Sequence, residues 1–233
     1  MPQEVLYFMK KILVSLALIS AFCCAALAQH EYAPIKKEKI NYENWTYKNI
    51  VTGEDMNLRE FAKDKKLVLV LYFAPWCHNS QYQMPFTKKL YEKYKDRGLG
   101  VVGVSSYASE DRVENYIKQE KIDFPVVAES LELNKRIYTK HYKYRQEMGD
   151  KRKWGTPFNV FLVSSDISQN GEILVKKPYT VAGELIEAET EKFIREKLGL
   201  PAEENIQAKA SGKKETIESC PAEDSLLKKI GEN

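Results

Sequence analysis

The sequence predicts an α/β fold in which a central mixed β-sheet is flanked by helices on both faces. Three observations support this prediction. The run LVLVLYF, Leu67 to Phe73, is continuously apolar, as expected for a strand that is covered on both faces. Strand-like segments then alternate with segments of helical periodicity, which is typical of parallel strands joined by helices. Two strand-like segments joined by a turn, followed by a last helix, add an antiparallel part to the sheet.

Turn residues and helical spacing predict the elements on either side of the apolar run. Residues 44–64 predict two short strands around a turn at 52–55, followed by a helical turn. Residues 78–98 carry apolar side chains near helical spacing and end at Gly98, which predicts a helix. Pro85 lies within this segment, so we expect a kink or an interruption there.

The second half of the chain continues the alternation of strands and helices. The predicted strands are 100–106, 123–130, 156–165 and 171–179, of which the last two are joined by a turn around 169–171. The predicted helices are 109–122, 131–144 and 182–199, and residues 146–153 form a charged loop. Ser109 precedes two acidic residues, and Gly199 and Pro201 follow the last helix, as expected for helix ends.

Both ends of the chain differ in composition from the segment between them. From Met9, two lysines, an apolar run and Ala26-Leu27-Ala28 predict a signal peptide over residues 1–28, and therefore export to a bacterial periplasm or cell envelope. An uncleaved anchor is the alternative, and it would be the only membrane contact. We expect a polar, flexible lead at 29–41, one domain at 42–199 and a charged, mobile tail at 200–233.

Composition excludes several classes of function. The net charge is only +3, and lysines are interleaved with glutamates, so we expect no nucleic-acid partner. The histidines His30, His78 and His141 show no paired ligand spacing with the cysteines, so we expect no metal site. The chain carries no flavin or nicotinamide fingerprint, so we expect no cofactor and a supply of electrons by thiol exchange.

Cys77 is the strongest candidate for chemistry. Signal cleavage would leave only Cys77 and Cys220, in a compartment where disulfides persist. Cys77 follows the buried run and begins a helix, where backbone N–H groups and the helix dipole favour a thiolate. Ser80 is placed to donate its hydroxyl to the sulfur, and His78 to add positive charge. An inert buried cysteine is the alternative, but Trp76 beside it favours a cleft.

The run LVLVLYFAPWCHNSQYQMP resembles the active-site region of the thioredoxin superfamily, particularly its exported TlpA-like branch and the related redoxin domains. The residues that match its F-x-x-x-W-C and M-P patterns are Phe73, Trp76, Cys77, Met84 and Pro85. A second segment, WGTPFNVFLV, is similar to the cis-proline loop of that superfamily. The resemblance covers about residues 42 to 198 and implies a thioredoxin-like fold. It also implies that Pro157 is cis and lies against Cys77, with Thr156 pairing with substrate backbone.

Ser80 departs from the pattern of the superfamily, which has a second cysteine there. A serine hydroxyl cannot attack a mixed disulfide, so Cys77 can start an exchange but cannot finish it alone. Three continuations remain open. An external thiol, from an electron donor or a thioredoxin-like partner, resolves the adduct; Cys220 resolves it; or the adduct is the product and holds a client protein.

The sequence therefore predicts an exported monothiol oxidoreductase or isomerase that acts on protein thiols and disulfides. Trp76, His78, Thr156 and Pro157 would contact the substrate. One alternative is a redox-inactive binding module that keeps the groove but has lost turnover. A peroxiredoxin-type peroxidase is a weaker alternative, because Val70 and Ala74 occupy the places where such a site has proline and threonine or serine.

Overall fold

The computed structural model describes residues 30–201, so the predicted signal peptide, Cys220 and nearly all of the predicted tail lie outside the described residues. The strands are β1 (Tyr32–Ala33), β2 (Lys36–Lys37), β3 (Asn41–Glu43), β4 (Thr46–Lys48), β5 (Asp55–Asn57), β6 (Leu67–Phe73), β7 (Leu99–Ser106), β8 (Val126–Ser130), β9 (Phe158–Val163), β10 (Ile173–Lys176), β11 (Tyr179–Val181) and β12 (Glu184–Leu185). The α-helices are α1 (Leu58–Ala62), α2 (His78–Tyr94), α3 (Glu110–Glu120), α4 (Lys140–Glu147) and α5 (Glu187–Leu198). None of these helices combines the length and the apolar character that a membrane span requires.

The central sheet has six strands in the order β2-β11-β9-β6-β7-β8. The pairs β6/β7 and β7/β8 are parallel, whereas β6/β9, β9/β11 and β11/β2 are antiparallel. This mixed sheet, with helices on both faces, confirms the predicted α/β class and has the thioredoxin-like arrangement. Because β6 lies in the middle of the sheet, all seven of its residues are buried.

The side chains of β6 alternate between two apolar cores, one on each face of the sheet. Leu69 and Leu71 point into the core formed with α2, α3 and α5, which contribute residues such as Leu90 and Ile194. The even-numbered residues of β6 point into a second core, which includes Tyr144 of α4 and residues of α1, β3 and β10. The sheet is thus covered on both sides, as the continuous apolar run predicts.

Within the segment predicted to be a flexible lead, the described residues 30–41 are instead built into the domain. β1 pairs in parallel with β12, and β2 adds to the edge of the central sheet beside β11. Ala33 and Ile35 pack against the core despite their polar neighbours. A sheet edge offers backbone donors and acceptors to any extended segment, so a polar composition does not prevent pairing.

Helix α2 runs through Pro85 without the predicted interruption. Proline removes one backbone donor from a helix, which in this case would serve the carbonyl of Gln81. Both residues are solvent-exposed. Water can therefore take the place of the missing donor, which lowers the cost of a proline inside this helix.

Two other predicted elements differ from the structure. β10 does not form a hairpin with β9; it pairs with β3 because Leu174 and Val175 are buried in the second core, and β11 is the partner of β9. The helix predicted over 131–144 is a 3-10 turn, Leu133–Tyr138, followed by α4. Thr139 separates the two and accepts a hydrogen bond from the Tyr142 N–H, as an N-cap does.

Candidate active site

Cys77 lies at the junction of β6 and α2. It is the N-cap residue of α2, with extended backbone angles of φ −83° and ψ 119°. Its N–H donates to the carbonyl oxygen of Ala74 at 3.0 Å, and its own carbonyl accepts from the Gln81 N–H at 3.0 Å. The side chain is half-buried and forms no disulfide. The sulfur is therefore held at the first turn of the helix, where solvent still reaches it.

The cis-proline loop lies directly against this sulfur. The peptide bond between Thr156 and Pro157 is cis, as the resemblance implies. The thiol of Cys77 donates to the carbonyl oxygen of Thr156 across 3.2 Å. Both loop residues are buried. The structure thus brings together three of the predicted site residues from two distant parts of the sequence.

Trp76 forms one wall beside Cys77. Its indole N–H donates to the carbonyl oxygen of Tyr107 at 2.8 Å, while its side chain stays 37% exposed. The ring meets Trp154 edge-on, with the ring centroids 5.2 Å apart. Neither Tyr107 nor Trp154 is predicted from the sequence. Tyr107 follows β7, and Trp154 precedes β9, which is antiparallel to β6. Both therefore lie at the edge of the sheet where β6 and β7 end.

The side chains of Ser80 and His78 do not lie where their predicted roles would place them. Ser80 is only 1% exposed, and its hydroxyl accepts from the Ala74 N–H at 3.5 Å. Among the described residues, no hydrogen bond joins Ser80 to the sulfur of Cys77; the hydroxyl is turned back toward the end of β6. His78 is exposed and stacks on His30, with the ring centroids 6.3 Å apart.

The loop before Pro157 is held by a buried arginine. Arg145 is fully buried, donates from Nε to Asp150 at 2.9 Å, and donates from Nη1 to the carbonyl oxygen of Trp154 at 3.0 Å. Gly155 has φ +65°, and a Cβ atom there would lie 1.8 Å from the guanidinium of Arg145. Only glycine fits this position, because the backbone passes directly over the arginine.

Asp150 and Arg152 complete the charge balance beneath the loop. Burial alone would raise the pKa of Asp150, but hydrogen bonds from Arg152 and Arg145 bring it well below its usual range. Arg152 also donates to the carbonyl oxygen of Gly155 at 3.3 Å. The buried charges are therefore paired and hydrogen-bonded, which is the condition for burying them at tolerable cost.

His141 links the loop to Tyr107. Its Nε2 lies 3.2 Å from the carbonyl oxygen of Gly155, and its Nδ1 lies 2.9 Å from the Tyr107 hydroxyl. A carbonyl only accepts, so Nε2 carries the hydrogen and Nδ1 accepts from Tyr107. Burial, together with the positive charge of Arg145, lowers the pKa of His141 to about 3. The imidazole is therefore neutral near pH 7 and acts as a fixed bridge.

A buried amide pair ties α2 to the strand after Pro157. Gln83 Nε2 donates to Asn159 Oδ1 at 2.7 Å, and Asn159 Nδ2 donates back to Gln83 Oε1 at 3.2 Å. Both side chains are buried. This pair is not predicted from the sequence, although an asparagine inside the apolar run FNVFLV indicates a buried polar side chain that needs a partner.

The arrangement can support thiol chemistry. A half-exposed cysteine faces a rigid loop, and no group of three or more His, Cys, Asp or Glu side chains within residues 30–201 is placed to hold a metal ion. Of the predicted site residues, Trp76, Cys77, Thr156 and Pro157 converge, Ser80 lies beneath them, and His78 lies on the outer helix surface. Cys220 lies outside the described residues.

Comparison with known proteins gives one family. The model of the AhpC/TSA family matches residues 41–166, more than half of the 233-residue chain. Among curated proteins, the thiol-disulfide oxidoreductase ResA of Bacillus thuringiensis subsp. konkukian is 29% identical over 94 residues, covering 39% of this chain and 53% of that protein. ResA of Halalkalibacterium halodurans is 25% identical over 114 residues, covering 49% of this chain and 61% of that protein. The chain thus spans between half and two thirds of the length of these relatives.

Two solved structures align with about three quarters of this chain at low sequence identity. A DsbF homologue from Corynebacterium diphtheriae has 15% identity and a TM-score of 0.49, covering 73% of this chain and 95% of that one. A thiol:disulfide interchange protein of the thioredoxin family from Chlorobium tepidum has 18% identity and a TM-score of 0.48, covering 74% of this chain and all of that one.

Proposed function

Because the chain belongs to the AhpC/TSA family, we propose that it is an exported thiol-disulfide oxidoreductase or isomerase with Cys77 as its single nucleophile. One observation carries the proposal: the half-exposed sulfur of Cys77 lies at a helix N-terminus, 3.2 Å from the carbonyl oxygen of Thr156 beside cis-Pro157. The similarity to ResA proteins, whose name describes this activity, supports it. The signal-like segment from Met9 to Ala28 supports export.

The first step is an exchange of sulfur bonds. The thiolate of Cys77 attacks one sulfur of a disulfide in a client protein, which forms an S–S bond between Cys77 and the client. The other client sulfur leaves as a thiolate and takes a proton from water. One S–S bond breaks and one forms, so the step needs no electron carrier.

Release of the client requires a second thiol. The hydroxyl of Ser80 cannot attack a disulfide, and it is buried against the Ala74 N–H. In a reductive cycle, an external thiol attacks the sulfur of Cys77, which frees the client as a thiolate and leaves Cys77 joined to the external thiol. A second external thiol then attacks the sulfur of the first and releases Cys77 as a thiolate. In an isomerase cycle, another thiolate of the client attacks the client sulfur, which leaves Cys77 as a thiolate. Cys220 is a further candidate for the resolving thiol, on the grounds of the sequence alone.

The cis-proline loop and Trp76 would position the client. The backbone of Thr156 lies next to the sulfur, so a client strand that pairs with it would bring a disulfide within reach of Cys77. Trp76, 37% exposed, would cover the new bond from one side. The buried bridge from His141 to Gly155 would keep the loop at a fixed distance during the exchange.

Trapping of a mixed disulfide tests the proposal. The mature chain with Cys220→Ser, in which Cys77 is the one cysteine, is incubated with a peptide that carries a disulfide to a small thiol, and the adduct is located by mass spectrometry. We expect one peptide on Cys77, and none when Cys77→Ser is added. If the chain with Cys77 intact forms no adduct there, the proposed function is wrong. If both proteins bind the peptide equally without a covalent bond, the buried Ser80 marks a binding module that has lost turnover.

A further inference from the structure

Cations surround Trp154 at the edge of the Cys77 groove. The guanidinium carbon of Arg136 lies 5.4 Å from the centroid of the Trp154 ring, and the ammonium of Lys153 lies 5.3 Å from it. The same ring meets Trp76, the residue before Cys77, at 5.2 Å. We call these four residues, Trp76, Arg136, Lys153 and Trp154, the tryptophan collar. It is a mixed aromatic and cationic surface that borders the reactive sulfur.

The two cations of the tryptophan collar have no acidic partner among residues 30–201. This is unlike nearby Lys140 and Lys143, which both form ion pairs with Glu43. Arg136 uses Nη1 to donate to the carbonyl oxygen of Lys153, which leaves other guanidinium donors available. A guanidinium of this kind fits a carboxylate with two parallel hydrogen bonds, and it is the stronger of the two cations for such recognition.

Exposed apolar side chains follow Arg136 in the sequence. Ile137 and Tyr138 follow it directly and are 52% and 79% exposed. Of the eight large apolar side chains that are exposed among the described residues, four lie in the segment 131–138, so the exposure is concentrated rather than scattered. Concentrated apolar exposure marks an interaction site, whereas scattered exposure does not.

We propose that the tryptophan collar, extended by Ile137 and Tyr138, is the docking surface for the client, and that it selects client segments with acidic and apolar residues next to the attacked cysteine. This inference rests on the proposed function and names its substrate class. Charge complementarity supports the inference. Arg136 and Lys153 have no acidic partner among residues 30–201, and they lie beside the groove of Cys77, the nucleophile of the proposed exchange. Complementary charge raises the rate of encounter and suppresses partners of the wrong sign.

Two peptides of equal length test the inference in the full chain. Each carries one leucine and one cysteine joined by a disulfide to 2-mercaptoethanol, a neutral leaving thiol; two glutamates flank the cysteine in one peptide and two lysines in the other. The second-order rate of adduct formation on Cys77 is measured at low and high salt. We expect the acidic peptide to react about ten-fold faster at low salt, and the difference to shrink at high salt because ions screen exposed charges.

Lys153→Glu is the informative variant, because the ammonium of Lys153 contacts only the face of Trp154 and its loss removes no ion pair. We expect it to abolish or reverse the preference for the acidic peptide. Lys89→Glu is the matched control. Lys89 is also exposed and lies on α2, twelve residues after Cys77, which is about 18 Å along the helix at 1.5 Å per residue. The preference should survive in this control. Tyr138→Ser should slow both peptides alike.

The outcomes separate this inference from the proposed function. Bis(2-hydroxyethyl) disulfide, a small neutral reagent, serves as the reference. If Cys77 exchanges with the reference and with both peptides at equal rates, the docking inference is wrong and the proposed function stands. If Cys77 reacts with none of the three, both are wrong. If both peptide rates fall as the protein concentration rises, a second copy of the chain occupies the surface, and the docking inference is overturned.

Discussion

Cys77 and the cis-proline loop face each other across 3.2 Å, yet the protein holds them in different ways. Cys77 is placed by backbone geometry, since it caps α2 and its N–H and carbonyl bond to Ala74 and Gln81. The loop is placed by buried side chains: Arg145 and His141 bond to carbonyl oxygens of Trp154 and Gly155.

Because of this difference, the two sides of the site should respond differently to substitution. A backbone-defined position tolerates a change of side chain, because the helix start does not depend on the sulfur. A loop held by buried polar groups does not, because each lost partner leaves a buried donor or acceptor without a hydrogen bond. Substitutions on the loop side should therefore affect stability, and those at Cys77 and Ser80 should affect chemistry.

Arg145→Met should give the largest loss of stability. It leaves the carbonyl oxygen of Trp154 without this donor and Asp150 with fewer positive partners, inside a buried network. Breaking a buried pair by removing one partner costs about 3–5 kcal/mol. Urea denaturation followed by circular dichroism measures the free energy of unfolding.

The exposed Arg112 supplies the control for this substitution. Arg112→Met makes the same chemical change on the surface of α3 and should leave stability almost unchanged. If Arg145→Met were as mild as Arg112→Met, the loop would be held by something other than buried charge, and the contrast between the two sides of the site would be wrong.

His141 should make stability depend on pH. Burial lowers its pKa from the usual 6.5 to about 3, so the unfolded chain binds the proton more readily between these values. The contribution of His141 to the free energy of unfolding is therefore complete above about pH 6.5, and it is lost as the pH falls toward 3. Linkage predicts a loss of about 2 kcal/mol between pH 7 and pH 5.

His141→Gln isolates this effect, because glutamine can bond to Gly155 and Tyr107 but cannot be protonated. The comparison is needed since burial raises the pKa of nearby Glu129 to about 7, which changes stability in the opposite direction as the pH falls. We expect the wild type to lose about 2 kcal/mol more than the variant between pH 7 and pH 5 in urea denaturation. Equal losses would show that His141 is not the buried, neutral bridge described above.

Of these substitutions, Ser80→Cys should change stability least. It should instead change how the mixed disulfides of Cys77 are resolved. The hydroxyl of Ser80 makes only a long hydrogen bond of 3.5 Å, so its loss should cost less than about 1 kcal/mol. The new thiol lies one helical turn from Cys77 and should resolve its mixed disulfides without added thiol. Mass spectrometry should then find an internal disulfide between residues 77 and 80. Ser80→Ala is the control, and its adducts should persist as in the wild type.

The sequence predicts the Cys77 side of the site better than the loop side. The apolar run of β6 and the cysteine that begins α2 are local features, and the resemblance adds Pro157. Arg145 and His141 lie in a segment whose lysines and tyrosines are typical of a solvated helix, and only the topology brings them under the loop. Spacing predicts that Ser80 is near the sulfur, but it does not give the direction of its hydroxyl.

The strands β1 and β2 could not be predicted from the sequence for a different reason. β1 and β2 are held by backbone hydrogen bonds to β12 and β11, and such bonds leave little trace in side-chain composition. The alternation of β6 between two cores is predictable, because a strand buried on both faces must be apolar throughout. Sequence patterns thus report burial well and long-range backbone pairing poorly.

The central claim is that Cys77 attacks disulfides and needs a separate thiol to let the product go. The test uses the mature Cys220→Ser variant, which begins at residue 29 and therefore lacks Cys23 and Cys24. Intact-mass spectrometry of this variant, treated with oxidised glutathione and then with dithiothreitol, tests the claim most directly. We predict one glutathione per chain, located on Cys77, that persists until dithiothreitol is added. A chain that acquires no glutathione on Cys77, or that sheds it without added thiol, would contradict the account.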